Sequence, residues 1–328
     1  MIPKYFIGPM SKNIVDSIIE FCNKTDNIIG LIPSRRQVEN TRGYVNNWTT
    51  QEFSEYIRSK TDKILIVRDH SGPEQGQISD DGYESLSEDC KHLDVIHIDP
   101  WKKYPIFSEG LEETIKMIEY CYNQNPNIQY EVGTEEAIRR FEPYELSDLI
   151  HQLKFRLNSK VFNQIKYLVI QSGTSLKGTN QTGNYDSIRL EEMIKVCKLN
   201  NLISKEHNGD YIPISIIKEK FNLGLDSINI APEFGLIETL TYIKEIENNW
   251  NFRMMDDFWR ICFKSKKWEK WVNQDFDPHT QKRDLIKICG HYVLSSPEFI
   301  EKIKIKLPEI DNKIKYNINH KLNELYRY

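Results

Sequence analysis

Carboxylate and imidazole side chains recur where apolar runs of this sequence give way to loops. They are Asp69 and His70 in ILIVRDHSG, Glu131 in IQYEVGT, and His207 after LISKE. The amide Asn208 follows His207. Imidazole nitrogens and a carboxylate are ligands that suit Zn²⁺, and a metal ion with an open coordination position acts as a Lewis acid. We therefore predict a divalent metal site, with zinc as the first choice, formed by His70, His207 and Glu131.

Two of these carboxylates are also candidates for catalysis. Asp69 could move a proton during carbon–carbon bond cleavage, because a carboxylate beside a metal-bound carbonyl or hydroxyl can act as a general acid or base. The alternative for Asp69 is a capping role that fixes the turn into SGPEQG. Glu131 is the second catalytic candidate. No HExxH or His-x-His spacing marks a metal site locally, so for each histidine a structural role is the competing interpretation.

Other polar side chains near the strand ends are candidates for substrate binding. They are Arg35, Arg36, Asp99, Gln171, Lys177 and Asn208. The two guanidinium groups would suit a phosphate or a carboxylate, although arginines after a strand are also common on protein surfaces. Asp99 could bind a substrate hydroxyl or orient His70 from behind. We expect His97, two residues before Asp99, to be a hydrogen-bonded core histidine.

Lys177 belongs to the segment SGTSLKGTNQTGNYD, which is long for a connection between a strand and a helix. A long loop over the mouth of a barrel often forms a lid or a phosphate contact. The alternative is a solvated loop without a role in binding.

The elements that must position these residues are short β-branched runs that alternate with segments of helical spacing. The runs are KYFIGPM, IIGLIPS, ILIVRDH, VIHIDP, IQYEVGT, KYLVIQSGT, LISKEH and SINIAPE. Eight such units predict an α/β fold, a (β/α)8 TIM barrel over residues 1–245, with the site at the carboxyl ends of the strands. A doubly wound sheet is the second choice, and no GxGxxG motif follows the first run.

Residues 246–328 lack further strand-like runs and predict a helical extension that packs on the barrel or on another subunit. Four tryptophans, Trp250, Trp259, Trp268 and Trp271, lie in its first part. We interpret them as core or subunit interface and not as a ligand site.

Polar residues before helical patterns predict where helices begin. Ser11, Thr49 and Thr134 each precede such a pattern and are good N-cap residues. An anion could bind at the helix start after Thr134, although an ordinary cap is the simpler interpretation.

Composition narrows the class of protein. The 328 residues are 39% hydrophobic, which is typical of a globular protein. With 44 Lys and Arg against 48 Asp and Glu, the formal charge of −4 favours neither nucleic acid nor an anionic membrane. Six scattered cysteines predict reduced, buried thiols. Without a signal-peptide pattern or a membrane-length apolar run, we expect a soluble, cytoplasmic protein.

An ordered series of motifs resembles the family of the non-catalytic subunit of class II tagatose-bisphosphate aldolase, a relative of the zinc-dependent ketose-bisphosphate aldolases. The motifs are SRRQVENTRGY, RDHSGP, VIHIDP, YEVGTE, VIQSGT and KEHNGDY, over roughly residues 30–245. The resemblance implies a (β/α)8 barrel in which Asp69 is the acid or base and His70 and His207 are zinc ligands.

The chain departs from that pattern at two positions. The first is Gln171, at a position where a catalytic class II aldolase has a further histidine. Glutamine is a poor zinc ligand, so Glu131 would have to complete the site. The non-catalytic family shares this glutamine. At Arg36 the family tends to have asparagine, and the added positive charge suggests a more anionic substrate.

We predict a metal-assisted, aldolase-like enzyme that acts on a phosphorylated sugar. One alternative is a supporting subunit that binds a separate catalytic aldolase. A protein that forms only homo-oligomers would be evidence against this alternative. A second is another barrel lyase or an epimerase of surface-polysaccharide sugar metabolism.

Overall fold

A closed barrel of eight parallel strands forms the body of the protein in a computed structural model that describes residues 2–327. Its strands and one hairpin are β1 (Tyr5–Ile7), β2 (Ile29–Leu31), β3 (Ile64–Ser71), β4 (Val95–Ile98), β5 (Gln129–Val132), β6 (Ile165–Ile170), the hairpin strands β7 (Leu176–Lys177) and β8 (Asn180–Gln181), β9 (Ile203–Glu206) and β10 (Ser227–Ile230). Barrel neighbours follow chain order, and β10 closes the barrel on β1. The predicted (β/α)8 fold is confirmed.

Helices surround the barrel and continue beyond it. They are α1 (Lys12–Thr25), α2 (Thr50–Arg58), α3 (Tyr83–His92), α4 (Phe107–Gln124), α5 (Pro143–Arg156), α6 (Ser159–Phe162), α7 (Ser187–Leu199), α8 (Ile214–Asn222), α9 (Pro232–Asn248), α10 (Phe252–Ser265), α11 (Lys282–Cys289), α12 (Pro297–Lys302) and α13 (Ile310–Tyr326). Within residues 2–327, none of these helices has the length and apolar character needed to cross a membrane. All six cysteines are free and buried, as predicted.

Side-chain caps explain two of the three predicted helix starts. The hydroxyl of Ser11 accepts a hydrogen bond from the Ile14 amide at the start of α1. Thr49 and Glu52 form a reciprocal capping box at the start of α2. Both caps satisfy amide groups that have no partner within the helix.

The predicted helix start at Thr134 is wrong, because residues 134–140 form a loop with a turn at 136–138, and α5 begins at Pro143. The Gln171 amide nitrogen donates hydrogen bonds to the carbonyls of Thr134 and Arg139, both at 2.8 Å, and its oxygen accepts one from the Phe141 amide at 2.8 Å. These bonds satisfy backbone groups that a helix would otherwise pair. The suggested anion site at a helix start here therefore has no helix to form it.

The helices after the barrel pack against its first and last helices. Helix α13 contacts α1 and α9, and the Tyr5 hydroxyl at the start of β1 donates to the Leu325 carbonyl at 2.8 Å. The predicted division at residue 245 falls inside α9, so this helix carries the chain directly into the extension. A Cβ atom at Gly235 in α9 would lie 2.9 Å from the His291 Cβ, so the glycine permits close approach of the extension.

A buried ion pair joins β3 to its neighbours. The Arg68 guanidinium donates from Nε and Nη2 to Asp89 on α3 at 2.9 and 2.6 Å, and from Nη1 to the carbonyls of Pro33 and Val38 at 3.0 and 2.7 Å. Both charged side chains are fully buried. The pair therefore fixes β3, whose end carries Asp69 and His70, against α3 and the segment after β2.

Replacing Arg68 by leucine should destabilise the protein strongly, by about 3–5 kcal/mol, because the Asp89 carboxylate would stay buried without its partner. The midpoint of urea unfolding measures this change. Arg58→Leu is the matched control, since Arg58 pairs with Asp94 at the surface and should contribute at most about 1 kcal/mol. Equal midpoints for the two variants would contradict the assigned role of Arg68.

Candidate metal centre and substrate cavity

Four side chains converge at the carboxyl ends of the barrel strands. Asp69, His70, His97 and His207 each offer one possible ligand atom, and these atoms lie within 4.8 Å of one another. The centroids of the three imidazole rings are 5.0–5.3 Å apart. The structure thus brings together the predicted residues of β3 and β9 and adds His97 of β4.

The backbone at the end of β3 directs His70 into this cluster. His70 has a left-handed conformation with φ of 49°, next to an irregularity in the pairing of β3 with β4. Such a conformation is unfavourable for a side chain other than glycine and is often found at functional sites. Its ring Nδ1 lies 2.5 Å from Oδ2 of the fully buried Asp99, which leaves Nε2 facing Asp69 Oδ1 at 3.8 Å.

A second buried carboxylate orients His207. Glu131 Oε1 lies 2.8 Å from His207 Nε2, so that His207 Nδ1 faces Asp69 Oδ1 at 3.9 Å. Glu131 Oε2 accepts a hydrogen bond from Lys205 Nζ at 2.5 Å. Because both of its oxygens are engaged, Glu131 lies behind His207 and is not positioned as the metal ligand that we predicted. Asp99 occupies the equivalent place behind His70.

Sequence reasoning did not identify Lys205. This lysine lies inside the apolar run LISKEH and is 1% exposed. A charged residue within a strand run was the available signal, since buried charges need partners. Its ammonium group also lies 4.0 Å from the centroid of the Phe6 ring. Lys205 does not line the cavity described below, so we assign it to the support of Glu131.

His97 differs from the other two histidines because both of its ring nitrogens already have partners. Its Nδ1 accepts a hydrogen bond from the His70 amide at 3.2 Å, and its Nε2 donates to the Gly133 carbonyl at 2.9 Å. It is the buried, hydrogen-bonded histidine that the sequence predicted. To bind a metal ion it would have to give up its bond to the His70 amide.

The two histidines on neighbouring strands have opposite electrostatic environments. Burial opposes protonation of His70, but the negative charges of Asp69 and Asp99 raise its pKa to about 10. Burial lowers the pKa of His97 to about 4. Although burial disfavours the Glu131 carboxylate, the positive charge of Lys205 and the bond from His207 hold its pKa well below the usual range. Without a metal ion, His70 is therefore an imidazolium between two carboxylates.

A cavity of about 360 Å³ opens above the cluster, between the barrel and the extension. The barrel side of its lining includes Arg36, Asp69, His70, His207 and Asn208. The extension contributes Lys270, Trp271, Lys287, Ile288, His291 and Tyr292. Trp271 thus lines the cavity, which corrects its interpretation as core or interface only, whereas Trp250 is 79% exposed.

Four predicted substrate-binding residues lie outside this cavity. Asp99 is fully buried behind His70. The buried Arg35 guanidinium binds Glu39 at 2.7 Å and Asp80 at 2.9 Å, so its charge is already matched. Gln171 holds the loop after β5, as described above. Lys177, on the hairpin strand β7, lines an adjoining surface groove. Arg36 and Asn208 remain as predicted residues that face the cavity.

A hairpin forms part of the long segment for which the sequence left open a lid, a phosphate contact or a solvated loop. Strands β7 and β8 pair in antiparallel orientation, and Gly178 and Thr179 at their turn line the cavity. The turn also lies against the extension, since a Cβ atom at Gly178 would be 3.6 Å from the Trp271 carbonyl oxygen. The segment therefore contributes to the cavity wall.

Several solved structures are similar to this protein in fold. No protein-family model matches the sequence, and no curated protein matches it. A probable tagatose 6 phosphate kinase from Sinorhizobium meliloti 1021 superposes with a TM-score of 0.77 at 14% identity, over 99% of each chain. The YdjI aldolase from Escherichia coli K12 gives 0.56 at 13%, over 95% of this chain and 94% of that one. The fructuronate-tagaturonate epimerase UxaE from Cohnella laeviribosi gives 0.60 at 11%, over 99% and 81%.

We expect His70 in chelator-treated protein to stay doubly protonated at pH 8, while His97 stays neutral at pH 6. Since the folded-state pKa of His70 is raised, its contribution to stability is complete below about pH 6.5, the pKa of an unperturbed histidine, and is lost as the pH rises to about 10. Nitrogen NMR of the imidazole rings measures both states. A single transition near pH 6.5 for His70, unaffected by Asp99→Asn, would contradict the assignment.

Replacing Lys205 by methionine should destabilise the protein by about 3–5 kcal/mol, because Glu131 would be a buried carboxylate without its cation. Adding Glu131→Gln should restore most of this loss. Thermal and urea unfolding of the single and double variants measure the coupling. Additive effects of the two substitutions would show that the pair does not act as a unit.

Proposed function

We propose that the protein is a metal-assisted enzyme that cleaves or forms a carbon–carbon bond in a phosphorylated sugar by an aldol-type reaction. One observation carries the proposal: the Asp69 carboxylate lies between the free faces of His70 and His207, at 3.8 and 3.9 Å. Each imidazole is held from behind by a fully buried carboxylate.

The donor set fits a divalent cation of the zinc type. His70 Nε2 and His207 Nδ1 would be the nitrogen ligands, and an Asp69 oxygen lies beside both. Carboxylates that hydrogen-bond the far nitrogen of a ligating histidine fix its ring and raise its basicity, and Asp99 and Glu131 hold these places. A bound ion would act as a Lewis acid that polarises the substrate carbonyl. Binding would have to displace the proton from His70, so affinity should rise with pH.

Asp69 is then the residue that moves the proton. In the cleavage direction its carboxylate takes the proton from the hydroxyl on the carbon that leaves as an aldehyde. The bond to the neighbouring carbon breaks, and its electron pair passes into the carbonyl group to give an enediolate. Return of a proton to the enediolate carbon that lost its neighbour gives the shorter ketose product. Asp69 is partly exposed to the cavity, so a substrate can reach it.

The neighbouring polar groups have separate tasks in this proposal. Asn208 faces the cavity and would hold a substrate hydroxyl. Asp99 would orient His70 and not bind substrate, since it is fully buried and already hydrogen-bonded. Arg36 would contact the phosphate. The similar fold of YdjI, whose name describes an aldolase, supports this reaction class.

Epimerisation of a sugar is a second candidate. A retro-aldol cleavage followed by recombination on the other face, or proton removal next to a polarised carbonyl, would use the same Asp69. The similarity to the epimerase UxaE supports it. Analysis of products distinguishes the reactions, because an epimerase returns an isomer and no fragments.

A supporting subunit for a separate catalytic aldolase is the third candidate. The sequence argument for it is Gln171, where a catalytic enzyme would have a histidine. Here Gln171 holds the loop after β5, and the ligand atoms of His70, His207 and Asp69 come together without it. This favours the enzyme. A stable complex with another aldolase chain, isolated from the native host, would favour the subunit.

The proposal predicts a near-stoichiometric divalent metal in natively purified protein, lost when both His70 and His207 are changed to alanine. Mass spectrometry of metal content measures it, with His151→Ala as a control on the exposed face of α5. Zinc-loaded protein should cleave a ketose phosphate. Asp69→Asn should reduce the rate about 10²–10⁴-fold while the metal is retained. Zinc-loaded protein that turns over no ketose phosphate would contradict the proposal.

A further inference from the structure

Three cations line the cavity without forming an ion pair with any carboxylate among residues 2–327. They are Arg36 after β2, Lys102 after β4 and Lys270 of the extension. Arg36 donates from Nε to the Gly76 carbonyl at 3.2 Å, and Lys102 donates to the Glu74 carbonyl at 2.5 Å. Lys270 lies 4.3 Å from the centroid of the Trp271 ring. Lys102 and Lys270 are exposed at the rim of the cavity and Arg36 is half-buried. Each cation thus contacts neutral groups and forms no ion pair with a described carboxylate.

The three positive charges lie close enough to affect one another. Burial and the charge of Arg36 lower the pKa of Lys102. Burial and the charges of Arg36, Lys267 and Lys102 lower the pKa of Lys270 to about 8. Such mutual repulsion is unfavourable, and an anion bound among the three cations would relieve it.

A second observation also indicates a polar ligand. His291 is 5% exposed and lines the cavity, yet its Nε2 atom has no hydrogen-bond partner within the described chain. Asn229 on β10 is 4% exposed, lines the same cavity, and its Oδ1 likewise lacks a partner there. Buried polar atoms are normally paired, so an unpaired donor or acceptor in a cavity wall indicates the place of a ligand group.

We propose that Arg36, Lys102 and Lys270 form the subsite for the anionic end of the substrate, and that the extension is therefore part of the binding site. The proposal deepens the proposed function and rests on it for the reacting end of the substrate. The ligand group is a phosphate or a carboxylate. Two ammonium groups and a guanidinium favour a phosphate, which carries more charge and more acceptor oxygens.

The subsite explains how a substrate would be oriented between two ends of one cavity. The anion would bind at the rim formed by Arg36, Lys102 and Lys270, and the sugar would extend towards Asp69. His291 and Asn229 would meet hydroxyl groups along the way. Lys270 lies in the 3₁₀ turn Glu269–Trp271 of the extension. The position of this turn would therefore determine the length of sugar that fits between Lys270 and Asp69.

The test is calorimetric titration of chelator-treated protein with glycerol 3-phosphate and with glycerate, which differ in their anionic group. We expect binding to weaken about tenfold, or about 1.4 kcal/mol, in Lys270→Gln and in Lys102→Gln. The matched control is Lys103→Gln, an exposed cation next to Lys102 that does not line the cavity, which should change affinity less than twofold.

The two ligands identify the anion. Tighter binding of glycerol 3-phosphate assigns the subsite to phosphate, and tighter binding of glycerate assigns it to carboxylate. No binding of either, or equal weakening by Lys103→Gln and Lys102→Gln, would overturn the subsite. Binding without metal does not depend on turnover. A protein that binds the anion through Lys270 but cleaves no sugar would refute the aldol reaction and leave the subsite intact.

Discussion

The hydrogen bonds that two imidazoles donate to two buried carboxylates are the interactions on which the rest of the site depends. Asp99 holds His70, and Glu131 holds His207, so that both rings present a nitrogen to Asp69. Carboxylates without exposure to water are tolerated in a protein only when they are paired. Lys205 supplies that partner for Glu131. Closure of the barrel is what brings β3, β4, β5 and β9 near enough for these bonds.

The extension completes what the barrel begins. The barrel strands supply the carboxylate and the imidazoles, whereas the segment after α10 covers the mouth and supplies Lys270, Trp271 and His291. The close approach at Gly235 brings His291 to the cavity wall. In the proposed function the barrel would supply the reacting centre, and the extension would orient the substrate and exclude water.

Local patterns predicted the fold because each strand and helix carries its own signal. The barrel was predictable from eight β-branched runs and from the helix caps at Ser11 and Thr49. Polar residues after the runs indicated that Asp69, His70 and His207 lie at one end of the barrel. Long-range partners were not predictable in this way. Arg35 is paired with Asp80, whereas Arg36 faces the cavity. Gln171 holds the loop at Thr134, and Lys205 is buried behind Glu131. These outcomes depend on which distant residue lies opposite, and no single segment contains that information.

Anomalous diffraction at the zinc absorption edge, from crystals grown with zinc, tests the proposed metal centre most directly. We predict one strong peak at the barrel mouth, about 2.0–2.1 Å from His70 Nε2 and His207 Nδ1, with Asp99 and Glu131 still bonded to the far nitrogens. Peaks confined to surface sites, with His70 still bound between Asp69 and Asp99, would contradict a metal centre and with it the proposed chemistry.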